Sequence, residues 1–231
     1  MDMTGKRVLV TGATRGIGRA TAEAFSKAGA QVAVNGSSEL SVAAALKELA
    51  ADSRVVGAPG NLGTVAECER VVTGAIAALG GLDVLVNNAG VGGVPKYVGD
   101  ISGEDWDAMV NVNLRAVFFC TKFALPALRA AKGNIVNVAS VLGLGGRGTG
   151  LSLYCASKGG VVNLTRDLAI EFAPDVRVNC ICPGAIDLDD QPMGPAGEIG
   201  KVWSHWMLAH EFESVEPFGA KLFPQARLRQ G

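Results

Sequence analysis

The chain is poor in charge, in aromatic rings and in histidine. Of its 231 residues only 19% are charged and 6% aromatic, and there are two histidines. Twenty-one Lys and Arg against 22 Asp and Glu leave a net charge of −1. No basic cluster occurs, so the electrostatic footprint of a nucleic-acid binder is missing. The five cysteines (Cys68, Cys120, Cys155, Cys180, Cys182) are an odd, scattered set, which argues against a disulfide framework. Cys180-Ile-Cys182 has the spacing of a metal half-site. It lies in an apolar strand pattern without a partner pair, so buried thiols are expected. His205 and His210, five residues apart, do not share a helical face, and no metal site is expected. No secretory apolar segment and no transmembrane run of about twenty residues is apparent, so the expectation is a cytoplasmic protein without a membrane partner.

What is abundant is apolar side chain, at 48%, and glycine, at 31 residues. With positive mean hydropathy this describes a globular chain able to bury a core. Short apolar runs at Val8–Thr11, Val32–Asn35, Val55–Gly57, Val84–Asn87, Ile135–Ala139 and Val176–Ile181 alternate with helical patterns near 16–28, 39–50, 64–79, 104–131 and 152–173. Continuous apolar strands separated by helices are the pattern of a parallel sheet covered on both faces. The predicted fold is therefore α/β, a doubly wound parallel sheet of Rossmann-like type, with the site outside the carboxyl ends of the strands. No repeat or linker divides the chain. A composition shift near Leu188 separates a Rossmann-like region, 1–187, from a tail, 188–231, that holds both histidines and two of the three tryptophans. Within it Gly200–Phe212 can form an amphipathic helix with Trp203, Trp206, Met207 and His210 on one face.

Tyr154 and Lys158 are four residues apart in Leu-Tyr-Cys-Ala-Ser-Lys-Gly-Gly. That spacing places both on one helix face, where an ammonium favours the phenolate and makes the phenol a usable proton donor and acceptor. A surface Tyr and Lys is the plain alternative. The run from Val8 to Ala20 reads as strand, tight glycine turn and helix start. Gly12 and Gly16 allow close backbone approach, Gly18 lets the helix pack, and the helix N-terminus favours a pyrophosphate. After the second strand, Asn35-Gly36-Ser37-Ser38 offers no carboxylate until Glu39. An acid there would bind a ribose 2′-hydroxyl and select NAD. Its lack, with Arg15 and Ser37 placed to meet a 2′-phosphate, favours NADP(H) over NAD(H). The alternative is that Arg15 points to solvent. Asn87-Asn88-Ala89-Gly90 ends the fourth strand, where Asn can fix a turn and Ala89 and Gly90 leave room for a flat nucleotide. Ser140 ends the fifth strand. It either bonds locally or polarises a carbonyl.

Together these elements resemble the short-chain dehydrogenase/reductase family. The match runs over roughly residues 6–187: Thr11-Gly12 through Gly16-Ile17-Gly18, Asn87–Gly90, Asn113, Ser140, Tyr154 with Lys158, and Arg177-Val178-Asn179 before Pro183-Gly184. The Thr-Gly-Ala-Thr-Arg-Gly-Ile-Gly turn and Asn61-Leu62 are most similar to NADPH-dependent 3-oxoacyl-acyl-carrier-protein reductases, although members with other substrates share them. The resemblance implies hydride transfer between NADP(H) and a carbonyl or secondary alcohol, a 3-oxoacyl thioester among the candidates. It implies Tyr154 as general acid or base, Lys158 lowering its pKa and holding the nicotinamide ribose, Ser140 bonding the substrate oxygen, and Asn113 holding a water that relays protons. Cofactor contacts are implied for Gly12, Thr14, Arg15, Gly16, Ile17, Gly18, Ser37, Asn61, Leu62, Asn88, Ala89, Gly90, Tyr154, Lys158, Pro183, Gly184 and Ile186. A small molecule is the implied partner, and a homodimer or homotetramer formed through the helices at 104–131 and 152–173 is the implied assembly.

The chain departs from the family pattern in three places. Ser140 and Tyr154 are one residue further apart than usual, which the glycine-rich stretch Gly143–Gly150 can absorb. Leu188 stands where many relatives have a Thr that bonds the nicotinamide carboxamide. The final strand of the family has no counterpart before Gly231. The tail is then either a divergent substrate lid or the mark of a cofactor-binding protein with impaired catalysis that acts through its oligomer interface.

Overall fold

The computed structural model describes residues 2–49, 54–92, 95–146, 148 and 150–184. Among them six strands form one parallel sheet in the order β3-β2-β1-β4-β5-β6. The strands are β1 (Arg7–Val10), β2 (Gln31–Gly36), β3 (Val55–Pro59), β4 (Val84–Asn87), β5 (Asn134–Val138) and β6 (Arg177–Ile181). Between them run α1 (Gly16–Lys27), α2 (Glu39–Leu49), α3 (Val65–Leu79), α4 (Gly103–Val110), α5 (Ala116–Ala131) and α6 (Ser152–Glu171). The strand order reverses between β1 and β4, which are in register at Val8↔Val84, Leu9↔Leu85 and Val10↔Val86. Such a switch point opens a crevice at the carboxyl ends of the strands.

The six apolar runs become strands because both sheet faces are covered. Leu9, Leu85 and Ile135 pack with Val72, Cys120 and Leu128 on one side. Val8, Val10, Val32 and Val34 pack with Ala22 and Ala45 on the other. Each side chain removed from water contributes on the order of 1.5–3 kcal/mol. β6 is the outermost strand of the described sheet, and Ile181 is half exposed there.

The helical run Gly103–Ala131 is, by length and hydropathy alone, long and apolar enough to cross a membrane. That run is a feature the sequence reading does not anticipate. Its buried stripe, Ala116, Cys120, Ala124 and Leu128, is packed in the core with α3 residues Val71, Val72 and Ala75. The run is not a uniform helix. Residues Asn111–Arg115 form one π-helical turn joining α4 to α5, and such widened turns are frequent at functional sites. The tail from 188 onward, including the expected helix at 200–212 and Leu188, lies outside the described residues.

Candidate active site

The loop between β1 and α1 is built by contacts that exclude side chains. Gly12 and Gly16 have φ of 60° and 55°, in the left-handed region that glycine adopts without strain. A Cβ on Gly18 would lie 2.3 Å from both the Asn88 amide nitrogen and the Gly12 carbonyl oxygen. Gly18 thus admits Asn88 as well as the packing of α1. Asn88 donates to the carbonyls of Thr11 (2.9 Å) and Gly12 (3.0 Å). The Thr11 hydroxyl accepts from the backbone N–H of Asn88 and Ala89 at 2.9 and 3.0 Å. The loops after β1 and β4 are therefore sewn together across the switch point. No side chain caps α1, and its first turn holds no acidic residue. An open, uncapped N-terminus with close backbone approach fits a dinucleotide pyrophosphate.

Sequence reasoning missed Asn35. Buried at the end of β2, it accepts from the Gly12 N–H (3.2 Å) and donates to the carbonyls of Ala58 (2.8 Å) and Gly60 (3.1 Å). It locks the β1–α1 loop to the end of β3. Arg15 and Ser37 are both exposed beside this loop. Thr14 rests its methyl on Gly36, where a Cβ would meet it at 2.3 Å. Past β3, Leu62 is buried in the core and Asn61 turns back to accept from the Gly63 N–H at 3.0 Å.

One cleft of about 190 Å³ gathers Ile17, Asn88, Gly90, Ser140, Tyr154, Lys158, Pro183 and Gly184, with Val138 and Ala139 on its wall. Sequence-distant residues meet there because each follows a parallel strand or faces the strand ends from α6. Ser140 caps a 3₁₀ turn at Val141–Gly143, accepting from the Leu142 N–H at 3.2 Å. Local capping and carbonyl polarisation prove compatible, since the hydroxyl proton is still available to a ligand. The turn lies directly on α6: a Cβ on Gly143 would sit 2.7 Å from the Lys158 carbonyl.

The geometry adds detail to two residues with implied roles. Lys158 is buried and donates to the Val138 carbonyl at 2.9 Å, with Nζ 6.0 Å from the Tyr154 ring centre. Burial pushes the ammonium down to about 8. Burial also raises the Tyr154 phenol above its ordinary value, against a smaller downward pull from Ser140. The groups that shift Tyr154 here are its burial and Ser140, while Lys158 directs an N–H to the Val138 carbonyl.

The second is Asn113, which is fully buried in the π turn. Its amide accepts from the Val91 N–H (2.8 Å) and donates to the Val91 carbonyl (2.9 Å) and the Ser157 hydroxyl (3.1 Å). That side chain ties the π turn to the loop after β4 and to α6. Ile186 lies outside the described residues.

Behind the cleft runs a buried polar chain that the sequence reading did not isolate. Asn87 donates to Thr121 (3.1 Å) and Asn137 (2.9 Å), and Asn137 donates to Thr165 (2.9 Å). Its signal was present: an Asn at the inward position of two apolar strands must have buried partners.

With this geometry in place, comparison with known proteins is direct. The family model described as short chain dehydrogenase matches residues 6–192. Meso-2,3-butanediol dehydrogenase of Serratia marcescens is 40% identical over 190 residues, 80% of this chain and 73% of that protein. The 3-oxoacyl-acyl-carrier-protein reductase FabG of Thermotoga maritima is 38% identical over 196 residues, 81% of this chain and 76% of its own. Among solved structures, 3-ketoacyl-(acyl-carrier-protein) reductase from Brucella melitensis, complexed with NADH, superposes with a TM-score of 0.76 at 32% identity, covering 81% of this chain and 78% of that one.

Proposed function

This chain belongs to the short-chain dehydrogenase family, and on that premise we propose that it moves a hydride between NADP(H) and a carbonyl or secondary alcohol. The observation that carries the reading is the convergence of Ser140, Tyr154 and Lys158 in one cleft with Ile17 from the start of α1, Asn88, Gly90 and Pro183-Gly184. A bound nicotinamide would supply or accept the hydride. The chain's own groups do the rest. In reduction Tyr154 gives its proton to the substrate oxygen, and in oxidation it takes one. Ser140 donates to the same oxygen where charge develops. Lys158, which donates to the Val138 carbonyl at the cleft wall, would hold the ribose of a bound cofactor and favour ionisation of the phenol. Asn113 holds the loop and helix in register.

The preference for NADP(H) is supported by the lack of a carboxylate at 35–38 and by exposed Arg15 and Ser37 beside the uncapped helix. The named activities of the relatives, on a diol and on 3-oxoacyl groups, make short hydroxy ketones and a 3-oxoacyl thioester the first substrates to try. A cytoplasmic location and a homodimer or homotetramer, paired through α5 and α6, complete the reading.

The test is loss of NADPH absorbance with purified protein, a carbonyl panel that includes acetoin and an acetoacetyl thioester, and NADH in parallel. NADPH turnover that Tyr154→Phe abolishes, with dinucleotide binding kept, is the expected result. Turnover persisting in that variant removes Tyr154 from the mechanism. Absence of turnover across the panel favours the impaired, interface-acting alternative.

A further inference from the structure

We infer that the hollow between α4 and the start of α6 seats a neutral, apolar arm of the substrate no larger than an aromatic ring with a short tail. The inference rests on the carbonyl-reductase reading and specifies its substrate class. The hollow is about 270 Å³ and is bounded by Val91, Gly92 and Tyr154, which also line the cleft holding Ser140 and Lys158. A substrate whose carbonyl meets Tyr154 therefore has a continuous way into it. Its wall is apolar: Ile101, Ala108 and Met109 from the α4 side, Leu151 and Leu153 from the α6 side.

Charge decides which arm it takes. The two charged residues on its wall, Lys96 and Asp105, pair with each other at 2.6 Å. The Asp105 carboxylate also accepts from the Ser102 N–H at 2.9 Å as the return half of the α4 capping box. Lys96 is fixed from its backbone as well, its N–H donating to the Gly150 carbonyl at 2.9 Å. With Lys96 already paired to Asp105, an ionised arm must compete for that ammonium, so a neutral arm is favoured. Size follows from volume. An apolar cavity of about 150 Å³ holds one benzene, so this hollow takes a ring or roughly six carbons in a chain.

The experiment measures kcat/KM with NADPH for butanone, 2-hexanone, acetophenone and the anionic ketone 4-oxopentanoate, in the wild type and in Ala108→Phe. Ala108 is exposed on α4, so the variant fills the hollow without disturbing the core. Each methylene taken from water is expected to contribute about fourfold, which makes hexanone roughly sixteenfold better than butanone, with the anionic ketone below both. In Ala108→Phe, hexanone and acetophenone should lose roughly tenfold or more while butanone stays within about twofold. Turnover that ignores chain length, or a variant that slows butanone and hexanone equally, overturns the assignment and leaves the reductase reading standing. If no ketone turns over, the reductase reading fails, and calorimetry of acetophenone binding to the NADPH-saturated protein decides the hollow on its own. Binding weakened roughly tenfold by Ala108→Phe supports it, and binding that is undetectable or indifferent to the variant overturns it.

Discussion

Lys158 is the residue whose environment has the widest consequences. A free lysine titrates near 10.4, and in the folded chain burial brings Lys158 to about 8. Between these values the unfolded chain holds a proton that the folded chain has released, so this group makes the protein more stable as pH rises from 8 toward 10.5. Below pH 8 the fold carries the cost of a buried ammonium, about 3 kcal/mol by linkage. Lys158→Met removes that cost but strips the Val138 carbonyl of its donor, a loss of about 1–2 kcal/mol. The variant is expected to lose turnover and yet gain about 1–2 kcal/mol at pH 7, the gain turning to a loss near pH 10.5. Urea unfolding of both proteins at the two pH values checks it, and a variant less stable at both would show that the lysine is not held at a cost. None of this was legible from the spacing of Tyr154 and Lys158. Sequence placed the two on one helix face, but which group the ammonium points to depends on Val138 in β5, twenty residues away in the chain.

At the scale of elements the outcome is more even. All six strands and the helices between them stand where apolar periodicity put them, because both sheet faces are covered and the hydrophobic pattern alone decides such a fold. What periodicity could not express is how polar groups hold neighbouring elements in place. Asn87, Asn137, Thr121 and Thr165 are all buried and join β4, α5, β5 and α6 through side chains alone. Asn137→Ala is expected to cost about 3 kcal/mol in chemical denaturation, since it removes one buried bond from each of Asn87 and Thr165, which keep only Thr121 and the Val161 carbonyl. Combining it with Asn87→Ala should cost clearly less than the sum, as members of one network do. The α1 junction gives a second case. Gly18→Ala would drive its Cβ into Asn88 and the Gly12 carbonyl, so a loss of about 2 kcal/mol is expected together with weakened dinucleotide binding. A melt with and without NADPH separates the two: the variant's cofactor-induced rise in Tm should shrink. The π turn was likewise invisible in sequence, where Asn111 and Asn113 differ only in their spacing to Leu114. In the fold the two are distinguished at once by the buried amide of Asn113.

At the scale of the molecule, two large apolar side chains stand exposed among the described residues of α5 and α6. Phe118 on α5 and Ile170 on α6 are 47% and 80% exposed, on the helices that the family resemblance assigns to pairing. Large apolar side chains left exposed on these helices suit the proposed pairing. Sedimentation velocity is expected to give a dimer or larger species that Ile170→Glu splits, and a wild-type monomer at micromolar concentration would refute the pairing.

The contact between Thr14 and Gly36 bears on the history open to this protein. An acid at the end of β2 is the simplest route to a different dinucleotide preference, yet here any side chain at 36 collides with a methyl two loops away. At position 36, unlike exposed Ser37, such a change is reachable only after position 14 has shrunk or turned its methyl aside, a step that by itself alters no charge. The order of substitutions matters, and drift at one site must precede selection at the other. The cofactor preference proposed for this chain is thus guarded by packing at position 36, where the first move toward reversing it would look silent.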